Sequence, residues 1–258
     1  MSLSRRREKL VARLGRRSTR EREALVLVEG IRAVDEALDA GAGLRFALVS
    51  PRLDALGGGG ALRLRLRASG GDVDEVSDEE LTRVSDTDTP QGVLAVCAEP
   101  RPELETLLER SGRYLVLDAV QDPGNAGTLV RAATAFGLDG VVALDGTVDP
   151  WNPKTVRASV GLAFRIPVLT VGAERWVDAT ERAAVPLLVA DAAGEPVGRM
   201  DPGRSWALVV GNEGSGARPE LRAVAEQVVR IPMPGPAESL NAGMAGAVLL
   251  YALTEARP

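Results

Sequence analysis

Residues 114–144 read YLVLDAVQDPGNAGTLVRAATAFGLDGVVAL. The apolar run from Tyr114 to Ala119 ends at a Pro-Gly turn, Pro123-Gly124. Helical spacing follows over about 125–136, and a second apolar run fills Gly140 to Leu144. Apolar strands without alternation are buried on both faces, which predicts a parallel sheet covered by helices. The pattern continues downstream. Thr155 to Leu162 reads as helical, and strands fall near 166–170 and 186–190. The apolar run Trp206 to Gly211 passes into a glycine-rich loop. A helix near 218–226, a strand at 227–231 and a long helix from about 239 complete the chain.

Upstream, the same alternation is smaller in scale. Ala24 to Val28 is a strand, and Glu29 to Ala40 has apolar residues at 31, 34, 37 and 38, the period of a helix. Leu44 to Ser50, Asp72 to Val76 and Gly92 to Cys97 are further strands, and Gly57 to Gly60 reads as a loop. Glu99-Pro100-Arg101-Pro102 breaks regular structure. The expected organisation is an N-terminal arm or helix over 1–22, a small α/β domain over 23–98, a linker over 99–112 and a larger α/β domain over 113–258.

Composition narrows the chemistry. The 258 residues are 45% hydrophobic and contain no histidine and a single cysteine, Cys97. No Ser-His-Asp triad, Cys-His pair, histidine metal site or four-cysteine zinc site is possible, and no metal is expected. The net charge of −5 is unevenly spread. Residues 1–22 hold nine basic residues (Arg5, Arg6, Arg7, Lys9, Arg13, Arg16, Arg17, Arg20 and Arg22) against two acidic ones, or +7. The remainder holds 22 basic against 34 acidic residues, or −12. Such a cluster points to a polyphosphate partner. No run reaches the roughly 18 apolar residues of a membrane span, and no signal peptide is evident. A cytoplasmic protein with a reduced thiol is the expectation.

Three segments carry more than a plain fold requires. In Asp118 to Arg131, the loop lies beyond the carboxyl end of a strand, where open α/β sheets bind ligands. Asn125 reads equally as a helix N-cap, and Arg131 as a surface ion-pair partner. In Gly211-Asn212-Glu213-Gly214-Ser215-Gly216, a buried strand runs into glycines that allow close backbone approach. Neither dinucleotide nor P-loop spacing is present. In Ile231 to Tyr251, three prolines make a stiff loop and Ser239 is placed to cap the following helix. That helix opens with Ala242, Gly243, Ala245, Gly246 and Ala247, small residues suited to a tight contact with a cofactor or another helix.

Taken in order, these segments resemble the SpoU/TrmH family of RNA ribose 2′-O-methyltransferases. Asn125 to Arg131 matches N-x-x-G/T-x-x-R, Gly211 to Gly216 matches G-N-E-G-x-G, and Ile231 to Asn241 matches I-P-M-x-G-x-x-E-S-L-N. Thr89 to Val93, Asp149 to Lys154 and Arg157 to Gly161 add to the likeness. The resemblance implies an S-adenosylmethionine-dependent SPOUT fold with a parallel sheet, a C-terminal trefoil knot and a homodimer. It implies a preceding small α/β domain that binds RNA, similar to a small ribosomal protein. It further implies a catalytic set of Asn125, Arg131, Glu213, Ser239 and Asn241. The implied cofactor set is Leu208, Val210, Gly211, Asn212, Gly214, Ile231, Met233, Ser239, Leu240 and Asn241. RNA contacts are expected from the nine basic residues of 1–22 and from Arg32. The extra N-terminal domain favours 23S rRNA over tRNA as substrate. Two other classes stay open at this point: a non-catalytic RNA-binding or ribosome-assembly factor of the same fold, and a dinucleotide-dependent oxidoreductase.

Overall fold

The computed structural model describes residues 3–255. Residues 1–2 of the expected arm and 256–258 of the expected last domain lie outside the described residues. In chain order the elements are α1 (Arg5–Leu14), α2 (Arg17–Glu23), β1 (Leu25–Glu29), α3 (Ile31–Asp39), β2 (Leu44–Val49), α4 (Gly59–Ala68), β3 (Asp72–Glu75), α5 (Asp78–Val84) and β4 (Val93–Ala98). Then follow α6 (Leu104–Leu107), β5 (Arg113–Leu117), α7 (Pro123–Ala135), β6 (Gly140–Leu144), α8 (Pro153–Ala158), β7 (Val168–Val171) and α9 (Ala173–Arg182). The last are β8 (Leu187–Pro196), β9 (Trp206–Val210), α10 (Pro219–Ala223), β10 (Gln227–Arg230) and α11 (Ala242–Glu255).

The chain forms two compact units. One holds the residues up to Pro100 together with Trp151–Arg165, and the other holds Arg101–Pro150 and the residues from Ile166. The expected last domain ran unbroken from 113. In the structure the Trp151–Arg165 segment packs with the first unit, because α8 lies against β1 and Arg165 ion-pairs with Glu36 and Asp39 of α3.

The first unit is built on a mixed sheet of order β1-β4-β2-β3. Strand β4 is antiparallel to β1 and β2, and β3 is parallel to β2. Two helices lay outside the sequence reading. The glycine run opens α4, whose Leu62 and Leu66 are buried, and α5 carries a capping box made by Ser77 and Glu80. Cys97 is buried in β4; burial pushes its thiol up to about 12, so it is inert at neutral pH.

The basic N-terminus is folded. Helices α1 and α2 bury Val11, Leu14, Thr19 and Arg20. This corrects two of the expected RNA contacts. The Arg20 side chain is drawn in by the carbonyls at the end of α1, donating to Leu14 O (2.8 Å) and Gly15 O (3.0 Å). Arg7 pairs with Asp72 and Asp74 and lies over the Phe46 ring. The other expected contacts, Arg5, Arg6, Lys9, Arg13, Arg16, Arg17, Arg22 and Arg32, have exposed side chains. Arg20→Ala should therefore cost about 2–3 kcal/mol of unfolding free energy in urea titrations, against less than about 0.5 kcal/mol for Arg5→Ala.

The second unit is a six-stranded sheet of order β10-β8-β9-β5-β6-β7, parallel at every pairing. Strands β6 and β9 are buried along their whole length, as continuous apolar runs require. The amphipathic α9 was missing from the sequence reading; it turns Trp176, Ala179 and Thr180 into the core. Two features place the site. Leu117 of β5 lies level with Val210 of β9, so the loops leaving these strands are adjacent. Helix α11 then packs along α7, and a Cβ on Gly246 would stand 2.2 Å from Leu129 Cδ2. The small residues opening α11 thus serve a close helix–helix contact within the chain.

Candidate active site

The loop after β5 is fixed from beneath. Asp118 is 1% exposed and accepts from Arg218 N (2.7 Å) and Nε (2.6 Å), while Arg218 Nη2 donates to Asp145 O (2.7 Å). The sequence reading did not single out this clamp, since its members are 100 residues apart. Helix α7 begins at Pro123, with Asp122 as N-cap accepting from Asn125 N (2.7 Å). Proline at the first helical position and aspartate before it win the cap. Asn125 is therefore not the N-cap. It sits inside the first turn with its side-chain amide free for other work.

The loop after β9 closes on itself. Asn212 and Gly216 exchange backbone hydrogen bonds (3.0 and 2.9 Å), and Asn212 Oδ1 accepts from Gly214 N (2.9 Å) and Ser215 N (3.1 Å). Asn212 Nδ2 donates to Ala119 O (2.9 Å), which ties this loop to the one after β5. Gly211 is required here: a Cβ would lie 2.1 Å from Ala217 N and 2.2 Å from Gly216 C.

Glu213 turns toward α7. Its Oε1 accepts from Asn125 Nδ2 (2.9 Å), and Asn125 Oδ1 accepts from Asn241 Nδ2 (2.8 Å). Asn241 Oδ1 in turn accepts from Met244 N (3.2 Å). Asn241 therefore caps α11, where Ser239 was expected to; α11 starts three residues beyond Ser239, too far on for that side chain to reach. The result is one hydrogen-bonded chain, Glu213–Asn125–Asn241, joining all three motif loops. Burial raises the Glu213 carboxyl, but hydrogen bonds from Asn125 and from the Gln121 and Asp122 amides outweigh it and bring it below its ordinary value. Glu213 is thus ionised at neutral pH, an acceptor that fixes which way the Asn125 amide faces.

Beside this chain lies a pocket of about 560 Å³. Val210, Ile231, Met233, Leu240 and Leu249 make its apolar walls, and the Gly211–Gly214 backbone lines one side. The expected Asn212, Ser239 and Asn241 also line it. Leu208 does not: it is fully buried within β9, a full pleat below Val210 at the strand mouth. The sequence reading missed Ala190, Asp191 and Ala192 of β8, which complete the wall and carry no motif signal. Arg131 and Ser239 stand outside the hydrogen-bonded chain. Arg131 is exposed on α7, with no hydrogen-bond or ion-pair partner among the described residues. Within one chain the side chains of Asn125 and Asn241 bond to Glu213, to each other and to Met244 N, and not to Arg131.

A parallel α/β unit, with a pocket at the carboxyl ends of its strands and three motif loops closed by one asparagine–glutamate chain, is the arrangement that the resemblance to SPOUT methyltransferases implies. The family model for the SpoU rRNA methylase family matches residues 112–251, and that for the MRM3-like substrate binding domain matches residues 6–95. The chain belongs to the SpoU rRNA methylase family. It is 40% identical over 179 residues to the 23S rRNA (guanosine(2553)-2′-O)-methyltransferase RlmP of Bacillus subtilis, covering 69% of this chain and 71% of that protein. It is 30% identical over 248 residues to the 23S rRNA (uridine(2479)-2′-O)-methyltransferase of Streptomyces viridochromogenes, covering 93% and 86%. Among solved structures, an AdoMet-bound rRNA methyltransferase from Sinorhizobium meliloti superposes with a TM-score of 0.85 at 29% identity, covering 98% of this chain and 95% of that one.

Proposed function

We propose that the protein transfers a methyl group from S-adenosylmethionine to a ribose 2′-hydroxyl of large-subunit (23S) rRNA. The observation that carries this is the Glu213–Asn125–Asn241 chain, set against a pocket built from all three motif loops. The names of the relatives and the AdoMet-bound structure support it.

The pocket fits the cofactor in kind. Apolar walls suit an adenine ring, and a glycine backbone with unblocked sides suits polar groups held by main-chain bonds. Gly211, Ile231, Met233, Leu240 and Asn241 would hold it. S-adenosylmethionine supplies an electrophilic methyl on a sulfonium with a good neutral leaving group. The protein's part is then position and charge. Glu213 and Asn241 lock the Asn125 amide, leaving one Nδ2 hydrogen for substrate. Arginine stays protonated in proteins, so Arg131 acts by charge: it holds a phosphate and steadies the developing 2′-oxyanion, while the 2′-hydroxyl proton passes to water.

A homodimer suits the exposed face of α11, where Met244, Val248 and Tyr251 follow one another at helical spacing. Arg131 is likewise exposed, on α7, the helix against which α11 packs, which suits a role completed by a second copy. The proposed C-terminal trefoil knot suits the path of the chain, which leaves β10 at one sheet edge and returns through α11 to β9 and α7. No helix among the described residues is long and apolar enough to cross a membrane. The cytoplasm is the proposed compartment.

Labelled methyl transfer to separated rRNA and tRNA fractions tests the substrate: label in 23S rRNA supports the proposal, and label confined to tRNA contradicts it. The exposed basic residues of α1 bear on affinity. Replacing Arg5, Arg6 and Lys9 together by Ala should lower the slope of log affinity against log salt by about two to three, with cofactor affinity unchanged in calorimetry.

A further inference from the structure

The first unit contains a second pocket, of about 460 Å³, that the methyl-transfer site does not use. It gathers two sequence features that the transfer site leaves aside, the Thr89–Val93 stretch and the Arg157–Gly161 stretch. Its apolar sides are Ile31, Val160 and Leu56, the last 39% exposed at the rim. Its polar side chains are oriented. Gln91 Oε1 accepts from Ile31 N (2.9 Å), and its Nε2 has no acceptor among the described residues. Glu29, buried on the wall, accepts from Asp86 N (3.2 Å) and from the Thr87 hydroxyl. Arg157 Nη2 donates to Asp86 Oδ2 (3.2 Å), while its Nη1 is buried, 3.7 Å from Glu29 Oε2, and makes no hydrogen bond.

A buried guanidinium nitrogen without an acceptor is costly and calls for one. Val160 adds a second cost, since it is β-branched and held at φ +57°. Strain of this kind persists where the surroundings impose it, commonly at ligand sites. The acceptor is better supplied by a neutral ring than by an anion, because the Glu29 carboxylate already occupies the wall. Apolar side chains against the faces of a base and side-chain donors to its edge are how proteins take splayed RNA bases, and this lining offers both kinds of group.

We propose that this pocket holds an unpaired nucleobase of the RNA substrate, with Arg157 Nη1 and Gln91 Nε2 donating to its acceptor edge and Ile31, Leu56 and Val160 against its faces. The proposal rests on the reading of the protein as an RNA methyltransferase, but its test does not require turnover.

Filter binding of a 23S rRNA transcript, without cofactor and at several salt concentrations, compares wild type with Arg157→Lys and Leu56→Ala. Lysine keeps the charge toward Glu29 and Asp86 but loses the planar fork; Leu56 lies at the rim, so its truncation spares the fold. Arg157→Lys should weaken binding about tenfold or more and Leu56→Ala about threefold, both with an unchanged salt slope and melting temperature. Wild-type affinity in both variants would overturn the proposal. So would a salt slope lowered by about one in Arg157→Lys, the sign of a lost phosphate contact. Tight binding of free GMP to the wild type, lost in Arg157→Lys, would overturn it in favour of a mononucleotide. Failure of the wild type to methylate rRNA, with binding and variant effects intact, would overturn the enzyme reading and leave the base pocket supported.

Discussion

Arg131→Ala should lower methyl transfer at saturating RNA and cofactor by about 100-fold or more, while melting temperature and cofactor affinity stay at wild-type values. Arg131 is exposed and makes no hydrogen bond or ion pair among the described residues, so its removal leaves no orphaned partner and no cavity. It also lies outside the pocket wall. A loss confined to turnover would thus report a role toward substrate alone. Arg131→Lys retains the charge but not the fork that grips a phosphate through two parallel bonds, and should still lose about tenfold. Near-normal turnover in either variant would remove Arg131 from the mechanism. The proposed homodimer adds a second test: Arg131 and the apolar face of α11 are both exposed, on two helices that pack together, so disrupting that face should reproduce the loss. Tyr251→Asp, if it gives monomers in sedimentation, should be as inactive as Arg131→Ala.

The second large effect is expected at Gly211. A methyl group there meets backbone rather than a movable side chain, at 2.1 Å from Ala217 N. The loop must open, and with it the Asn212–Gly216 pairing that aims Glu213 at Asn125. Gly211→Ala should weaken S-adenosylmethionine binding about tenfold or more in calorimetry and lower the melting temperature by several degrees. Gly214→Ala is the contrast. Its Cβ would have only Asn212 Oδ1, at 3.6 Å, nearby. The melting temperature should hold, and any loss of binding would then measure close approach of the cofactor to the loop. An unchanged cofactor affinity in Gly211→Ala would place the binding site elsewhere.

The parallel sheet was legible because β6, β9 and all of β5 beyond Arg113 are unbroken apolar runs, and only burial on both faces explains such runs. Elements with mixed signals were not. Helix α9, AERWVDATER, shows a single large apolar residue, Trp176, amid charges, and α4 begins inside a glycine run. Local competition decided the helix starts. Asp122-Pro123 outbids Asn125 as the cap of α7, and Asn241 replaces Ser239 at α11. Both outcomes matter for function, since each asparagine is thereby committed to the chain that includes Glu213.

That chain itself could not be read from sequence. Its members are 88 and 116 residues apart, and they meet only because β5 pairs with β9 in register and α11 lies along α7. The arginine-rich N-terminus illustrates the opposite limit. Charge counting treats Arg7, Arg20 and their neighbours alike, whereas folding draws Arg20 onto the carbonyls ending α1 and Arg7 onto Asp72 and Asp74. The +7 of residues 1–22 therefore overstates what is free to meet RNA.

The central claim is that three loops at the strand ends direct a methyl group to a ribose oxygen. The most direct measurement uses a 23S rRNA transcript methylated with labelled S-adenosylmethionine and then hydrolysed in alkali. A methylated 2′-oxygen cannot attack its own phosphate, so the account predicts label in an alkali-resistant dinucleotide. Label recovered in mononucleotides, the mark of a methylated base, or no transfer to rRNA at all, would contradict it.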